Sequence, residues 1–224
     1  MRAMVRPAVW LPVLSLALSS AAAGPASASA GPRSLEEMIA TFQAMPGLTA
    51  RFEEERHLSL LSRPLRSRGH LYFVPPDRLV RRVDEPVSSL LQIDSERIAF
   101  ADDRGSESLD LGANPLARLF AESFTKILAG DLDALRAVYD LEFEPAPEAL
   151  AEGPALWRLV MVPRAPELAG AIARIELRGS GPGIVGLRVE EAGGDYTATH
   201  FDDVDVEHHF GEAELLEILR MPGS

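Results

Sequence analysis

From Ala50 to Val74 the chain switches sides residue by residue. Ala50, Phe52, Glu54, Arg56 and Leu58 share one face, and Arg51, Glu53, Glu55 and His57 share the other. From Pro64 the pattern returns: Leu65, Ser67, Gly69, Leu71 and Phe73 alternate with Arg66, Arg68, His70, Tyr72 and Val74. A period of two with polar residues on one side specifies an antiparallel sheet with one wet face, because a helix repeats every 3.6 residues. Pro75-Pro76-Asp77 breaks the pairing and Arg78–Val83 resumes it; Ser88–Ile93 and Arg97–Ala101 follow, separated by an Asp94-Ser95 turn. Asp102-Asp103-Arg104-Gly105 is expected to close this half. Later strands are expected at Tyr139–Phe143, Trp157–Val162, Ile172–Arg178, Ile184–Glu191 and Asp195–Phe201, with another near Val204–Phe210. Gly179–Gly183 and Gly193-Gly194-Asp195 read as hairpin turns between them.

Helical signals interrupt the strands at two main places. Ser34-Leu35-Glu36-Glu37 puts a capping side chain and two acids at a helix start. Leu35, Met38, Ile39 and Phe42 then form one apolar stripe, ended by Met45-Pro46-Gly47. Asn114-Pro115 opens a second helix with Asn at the cap and Pro at the first position. Its stripe is Leu116, Leu119, Phe120, Phe124, Ile127 and Leu128, and Gly130 stops it. Asp131–Ala137 and the tail Glu212–Leu219 are further short helical candidates.

The order of elements sets the class: mainly β with helices (α+β). One helix, a meander of strands, a central helix and a second meander build one large antiparallel sheet. About ten strands must curl or close, giving a curved, incomplete barrel. Helices are expected on one face only, the concave one, where they would roof a hollow.

Residues 1–30 stand apart from this pattern. Arg2 and Arg6 precede an apolar stretch from Ala8 to Ala23, and Ala28-Ser29-Ala30 supplies a small-residue cleavage site. That order is expected of a secretory signal peptide, cleaved near Ala30, which leaves residues 31–224 as a single domain outside the cytoplasmic membrane. The apolar stretch, broken by Pro12 and Ser15, falls short of the ~20 residues of a spanning helix. The chain has no cysteine, so disulfides, thiolate catalysis, Cys-ligated metals and acylation of the chain itself are excluded. Its net charge is −12, which repels nucleic-acid backbones and anionic headgroups at long range.

The residues between Leu35 and Gly130 resemble the outer-membrane lipoprotein carrier (LolA-like) family. The resemblance rests on Leu48-Thr49-Ala50-Arg51-Phe52, on Gly69, Leu71, Phe73 and Pro76 at the end of the next strand, and on Pro86 followed by Leu90-Leu91-Gln92-Ile93-Asp94. Asn114-Pro115-Leu116 and the late Gly194-Asp195-Tyr196-Thr197 also fit. The resemblance implies an incomplete antiparallel barrel whose helical lid covers a hydrophobic cavity. It implies a periplasmic carrier that takes acylated lipoproteins from an inner-membrane transporter to an outer-membrane acceptor. Two departures mark a divergent branch. The family's lid-tethering arginine is replaced by Pro75, and its glutamine after the first-strand phenylalanine by Glu54.

On this reading the cargo is a lipoprotein's acyl chains or a lipid or glycolipid, and no cofactor, nucleic acid or second subunit is needed. The expected cavity residues are Phe52, Leu71, Phe73, Leu91 and Ile93 from the sheet, with Phe120, Phe124 and Leu128 from the lid. A metal site around His200, Asp202, His208 and His209 is set aside, because alternation with Phe201, Val204 and Val206 describes a wet-faced strand equally well. Catalysis is not expected: there is no Gly-x-Ser-x-Gly elbow, and Ser59 beside His57 lacks an orienting partner. Gly179–Gly183 opens a strand, not the helix that phosphate binding uses. The rival reading is a lipid-sensing or protein-interaction module of the same fold, without transfer.

Overall fold

A computed structural model describes residues 31–113, 125–147 and 156–220. Helix α1 (Leu35–Gln43) leads into β1 (Leu48–His57), β2 (Leu65–Val74), β3 (Arg78–Glu85), β4 (Ser89–Ile93), β5 (Arg97–Asp102) and β6 (Gly105–Asp110). Helical residues 125–128 (α2) are followed by α3 (Leu132–Val138), β7 (Tyr139–Glu144), β8 (Trp157–Pro163) and α4 (Pro166–Ala169). The chain finishes with β9 (Ile172–Ser180), β10 (Gly183–Glu191), β11 (Tyr196–Asp205) and α5 (Glu212–Ile218).

All eleven strands form one antiparallel sheet in the order β6-β5-β4-β3-β2-β1-β11-β10-β9-β8-β7. Two meanders run outward from the centre, where β1 pairs with β11 and sets Phe52 opposite Phe201. The outermost strands, β6 and β7, do not pair with each other, so the barrel is incomplete. Register places Leu48, Ala50 and Phe52 beside Phe73, Leu71 and Gly69 of β2, and Leu79 of β3 between Phe73 and Ile93. These inward residues form one buried cluster with Met38, Ile39 and Phe42 of α1, so α1 lies on the concave face. Ser34 caps this helix by accepting from the Glu37 backbone N–H at 3.2 Å. The Phe42 ring meets the Trp157 ring edge-on at 6.2 Å, joining α1 to the second meander.

The convex face is covered too, which corrects the expectation that helices occupy one face. Arg82 Nη2 donates to the carbonyls of Glu217 and Ile218 at 3.1 Å and of Arg220 at 3.3 Å. Gln92 Nε2 donates to the Leu219 carbonyl at 3.0 Å. A guanidinium at a helix C-terminus meets unpaired carbonyls and the negative end of the dipole. Cross-strand pairing puts Val80, Leu90, Ala99 and Ala101 on the same side as Arg82 and Gln92. All four are buried yet lie outside the main core cluster, on the side of the sheet to which Arg82 and Gln92 tie the C-terminal segment.

Three other elements differ from the sequence expectations. Asp102-Asp103-Arg104-Gly105 does not end the first meander; it turns the chain into β6, whose residues are all exposed. With Ser106, Glu107 and Ser108 in succession, that strand carries no apolar alternation to reveal it. The expected strand near Val204–Phe210 is replaced by an extension of β11 to Asp205 and a lone bridge between Gly47 and Glu207. Asp203, at φ 50°, kinks β11 where its register with β1 shifts. The short helix α4 had no sequence signal that separated it from a loop.

Farther out on the convex face, Glu176 of β9 accepts from Arg158, Arg174 and Arg178. Burial alone would raise its carboxyl, but these three guanidinium groups outweigh burial and hold it below the ordinary 4.5. Arg158 also grips Glu144 through two nitrogens, which lowers that carboxyl as well.

Candidate functional site

The concave face does not fill completely. A cavity of about 500 Å³ remains between the two meanders and α2, within the ~300–1,000 Å³ typical of small-ligand pockets. Leu71, Leu79, Leu91 and Ile93 come from the first meander, and Ile172, Leu177, Ile184, Leu187, Val189 and Phe201 from the second. Ile127 and Leu128 of α2 face them from above.

Four residues expected from sequence therefore meet here: Leu71, Leu91, Ile93 and Leu128. Phe52 and Phe73 lie on the same sheet face but are packed into the core, 2% and 1% exposed. Phe120 and Phe124 lie outside the described residues. The second-meander contribution was missed. Its only sequence signal was the alternation itself, and nothing local says that β11 returns to pair with β1.

One wall of the cavity is polar. Glu54 of β1 accepts from Arg81 Nη2 at 2.8 Å, and the two side chains are only 21% and 26% exposed. Thr199 Oγ1 donates to the second Glu54 oxygen at 3.2 Å, and Ser67 lies within bonding distance of both partners at 3.4 and 3.3 Å. The Arg81 guanidinium sits 4.4 Å over the Phe52 ring, a cation–π contact. Nearer the strand ends, Arg56 pairs with Glu191 at 3.1 Å.

The cover is held by α1. Gln43 Nε2 donates to the Gly130 carbonyl, just after α2, at 2.7 Å. Gly130 has φ 69°, and a Cβ there would come within 2.3 Å of the Gln43 side chain and 2.7 Å of the Ile39 carbonyl. Only glycine allows that turn and that close approach together. Arg136 of α3 adds an ion pair to Glu36 of α1 at 2.7 Å.

A second groove, of about 650 Å³, is lined by Glu53, Glu55, Arg66, Arg68, Glu85 and His200. Its walls are ion-paired, Arg66 with Glu55 and Arg68 with Glu85, so it offers little to a hydrocarbon. His200 approaches Asp202 at 3.3 Å, while His208 turns to Glu214 of α5 at 2.8 Å. Among the described residues no group of three or more His, Asp or Glu side chains is placed to hold a metal. Ser59 is engaged through its backbone N–H with Asp195, and the His57 ring stacks on Tyr196. Among the described residues no helix is long and apolar enough to cross a membrane.

The family model for outer membrane lipoprotein carrier protein, LolA-like, matches residues 28–203. A search of curated proteins finds no significant match. Among solved structures, a DUF1329 family protein from Desulfovibrio piger superposes with a TM-score of 0.45 at 9% identity, covering 80% of this chain and 93% of that one. A LolA superfamily protein from Nitrosomonas europaea gives 0.42 at 8% identity, covering 79% and 95%. The MucA/MucB complex from Pseudomonas aeruginosa gives 0.45 at 13% identity, covering 81% and 60%. These likenesses are too distant to bear on the site. With a family match across most of its length, the chain belongs to the outer membrane lipoprotein carrier protein LolA-like family.

Proposed function

We propose that the protein is a periplasmic carrier that shelters an acyl chain, of a lipoprotein or of a lipid, and ferries it towards the outer membrane. The observation that supports this most directly is the apolar cavity shared by both meanders and α2. Residues 1–30 act as the cleaved export signal, and residues 31–224 form one carrier domain that works as a monomer without a cofactor or catalysis. Leu71, Leu91, Ile93 and Leu128 contact the chain, joined by Phe120 and Phe124 of the lid.

Each methylene moved out of water contributes ~0.8 kcal/mol, so holding a long chain is easy and releasing it is the harder task. An unclosed sheet answers that need. Because β6 and β7 share no ladder, the concave space can widen without breaking strand hydrogen bonds.

The purified protein is expected to bind an apolar fluorescent probe saturably, with fatty-chain lipids competing, and to move labelled lipid between two vesicle populations. Binding without transfer would favour the sensing or interaction module. No saturable binding would remove the carrier reading.

A further inference from the structure

Three adjacent strands of the cavity wall, β2, β1 and β11, are graded along their length. Inward residues of β1 run Ala50, Phe52, Glu54, Arg56, and opposite the last three on β11 lie Phe201, Thr199 and Thr197. On β2 the same direction runs Leu71, Gly69, Ser67. On these three strands one end is hydrocarbon and the other carries hydroxyls, Glu54 and Arg56. Arg81, paired in register with Leu71 and Leu91, reaches across to Glu54, while Leu187 and Val189 stay apolar opposite Thr199 and Thr197. A pocket meant only for hydrocarbon gains nothing from a half-buried ion pair, since a pair withdrawn from water is often no more stable than apolar side chains of equal volume. We infer that an acyl chain enters tail first and that Arg81 donates a hydrogen bond to a neutral ester or amide carbonyl at its head.

Arg81 has the donors to spare. Its Nη2 serves Glu54 and Ser67, while Nε and Nη1 meet no acceptor among the described residues. Stacking on Phe52 fixes the plane of the guanidinium. Glu54 neutralises its charge, so the site offers N–H groups without net positive potential. A free carboxylate or phosphate placed on Arg81 would be brought beside the Glu54 carboxylate and repelled. A bare alkane would leave the N–H groups unpaired and partly cut off from water. A neutral carbonyl suffers neither cost.

This inference rests on the acyl-chain reading, so its test must separate the two. A bound apolar probe is displaced by three ligands of one chain length: a methyl ester, the free fatty acid at pH 7, and the alkane. The wild type is expected to prefer the ester over both others by about tenfold, the size of one hydrogen bond to a charged donor. The double variant Glu54→Leu with Arg81→Met keeps the wall neutral and its volume similar, and should fold. It is expected to bind the alkane at least as well as the wild type and to lose the ester preference. Equal ester-to-alkane ratios in the two proteins, or a wild-type preference for the anion, overturn the role of Arg81 alone. Failure of all three ligands to displace the probe overturns the acyl-chain reading and this inference with it.

Discussion

Leu91 and Phe73 show how far single residues could be read. The sequence puts both on the inner face, Phe73 by alternation and Leu91 through the family resemblance, and both point there. Alternation gives the side of a strand but not the depth along it. Phe73 falls where α1 and the sheet close together, 1% exposed, whereas Leu91 falls beside the open space and stays half-buried. Their variants should differ accordingly. Leu91→Trp is expected to place its added ring in the cavity, weakening apolar-probe binding at least about tenfold while shifting the unfolding midpoint little, because the space is already empty. Phe73→Ala is expected to cost about 3–5 kcal/mol in denaturant unfolding. Unimpaired probe binding by Leu91→Trp would remove Leu91 from the site.

At the level of elements, the ones with a strong period were legible: α1 by its stripe, and nearly every strand with apolar alternation by its faces. Those missed were β6, whose one large apolar residue is Leu109, and α4, a single turn. The C-terminal helix was anticipated, but its docking was not. Its place on the convex face depends on Arg82 and Gln92, residues of β3 and β4 that reach its terminal carbonyls. Arg82→Ala should therefore remove about 1–2 kcal/mol of local stability. Amide exchange across Glu212–Ile218 would quicken while β1 and β11 keep their protection. Unchanged exchange in α5 would mean that apolar contact alone holds it.

Over the whole molecule, the charge of −12 makes acid the informative stress. Glu176, Glu144, Asp131 and Glu36 all hold their protons less tightly than usual in the folded protein. For Glu176, arginine contacts win over burial; Glu144 is held by Arg158, Asp131 by Lys126, and Glu36 by a backbone hydrogen bond and Arg136. A carboxyl depressed by folding adds stability that is fully present above its unfolded value and is lost as pH falls through its folded one. Stability should therefore begin to decline below about pH 4.5. Glu176 is the group to test, since its side chain is only 6% exposed and three arginines depend on it. Glu176→Gln is expected to lose about 1–3 kcal/mol at pH 7, less than a fully buried pair because the arginines are partly solvated. By pH 3 the gap to wild type should narrow. An equal gap at both pH values, measured by urea unfolding, would show that the ionised carboxylate is not what matters.

The sequence by itself determined the strand period, the two faces of the strands that alternate, the stripe of α1 and the antiparallel class, all of which follow from interactions between near neighbours in the chain. Only the tertiary structure decided that β1 and β11 meet in mid-sheet, that Phe201 and Thr199 share a hollow with Leu71, and that Glu54 finds Arg81. Those meetings depend on how two meanders curve and where they pair. Curvature and pairing are properties of the assembled sheet, which no local run of residues encodes.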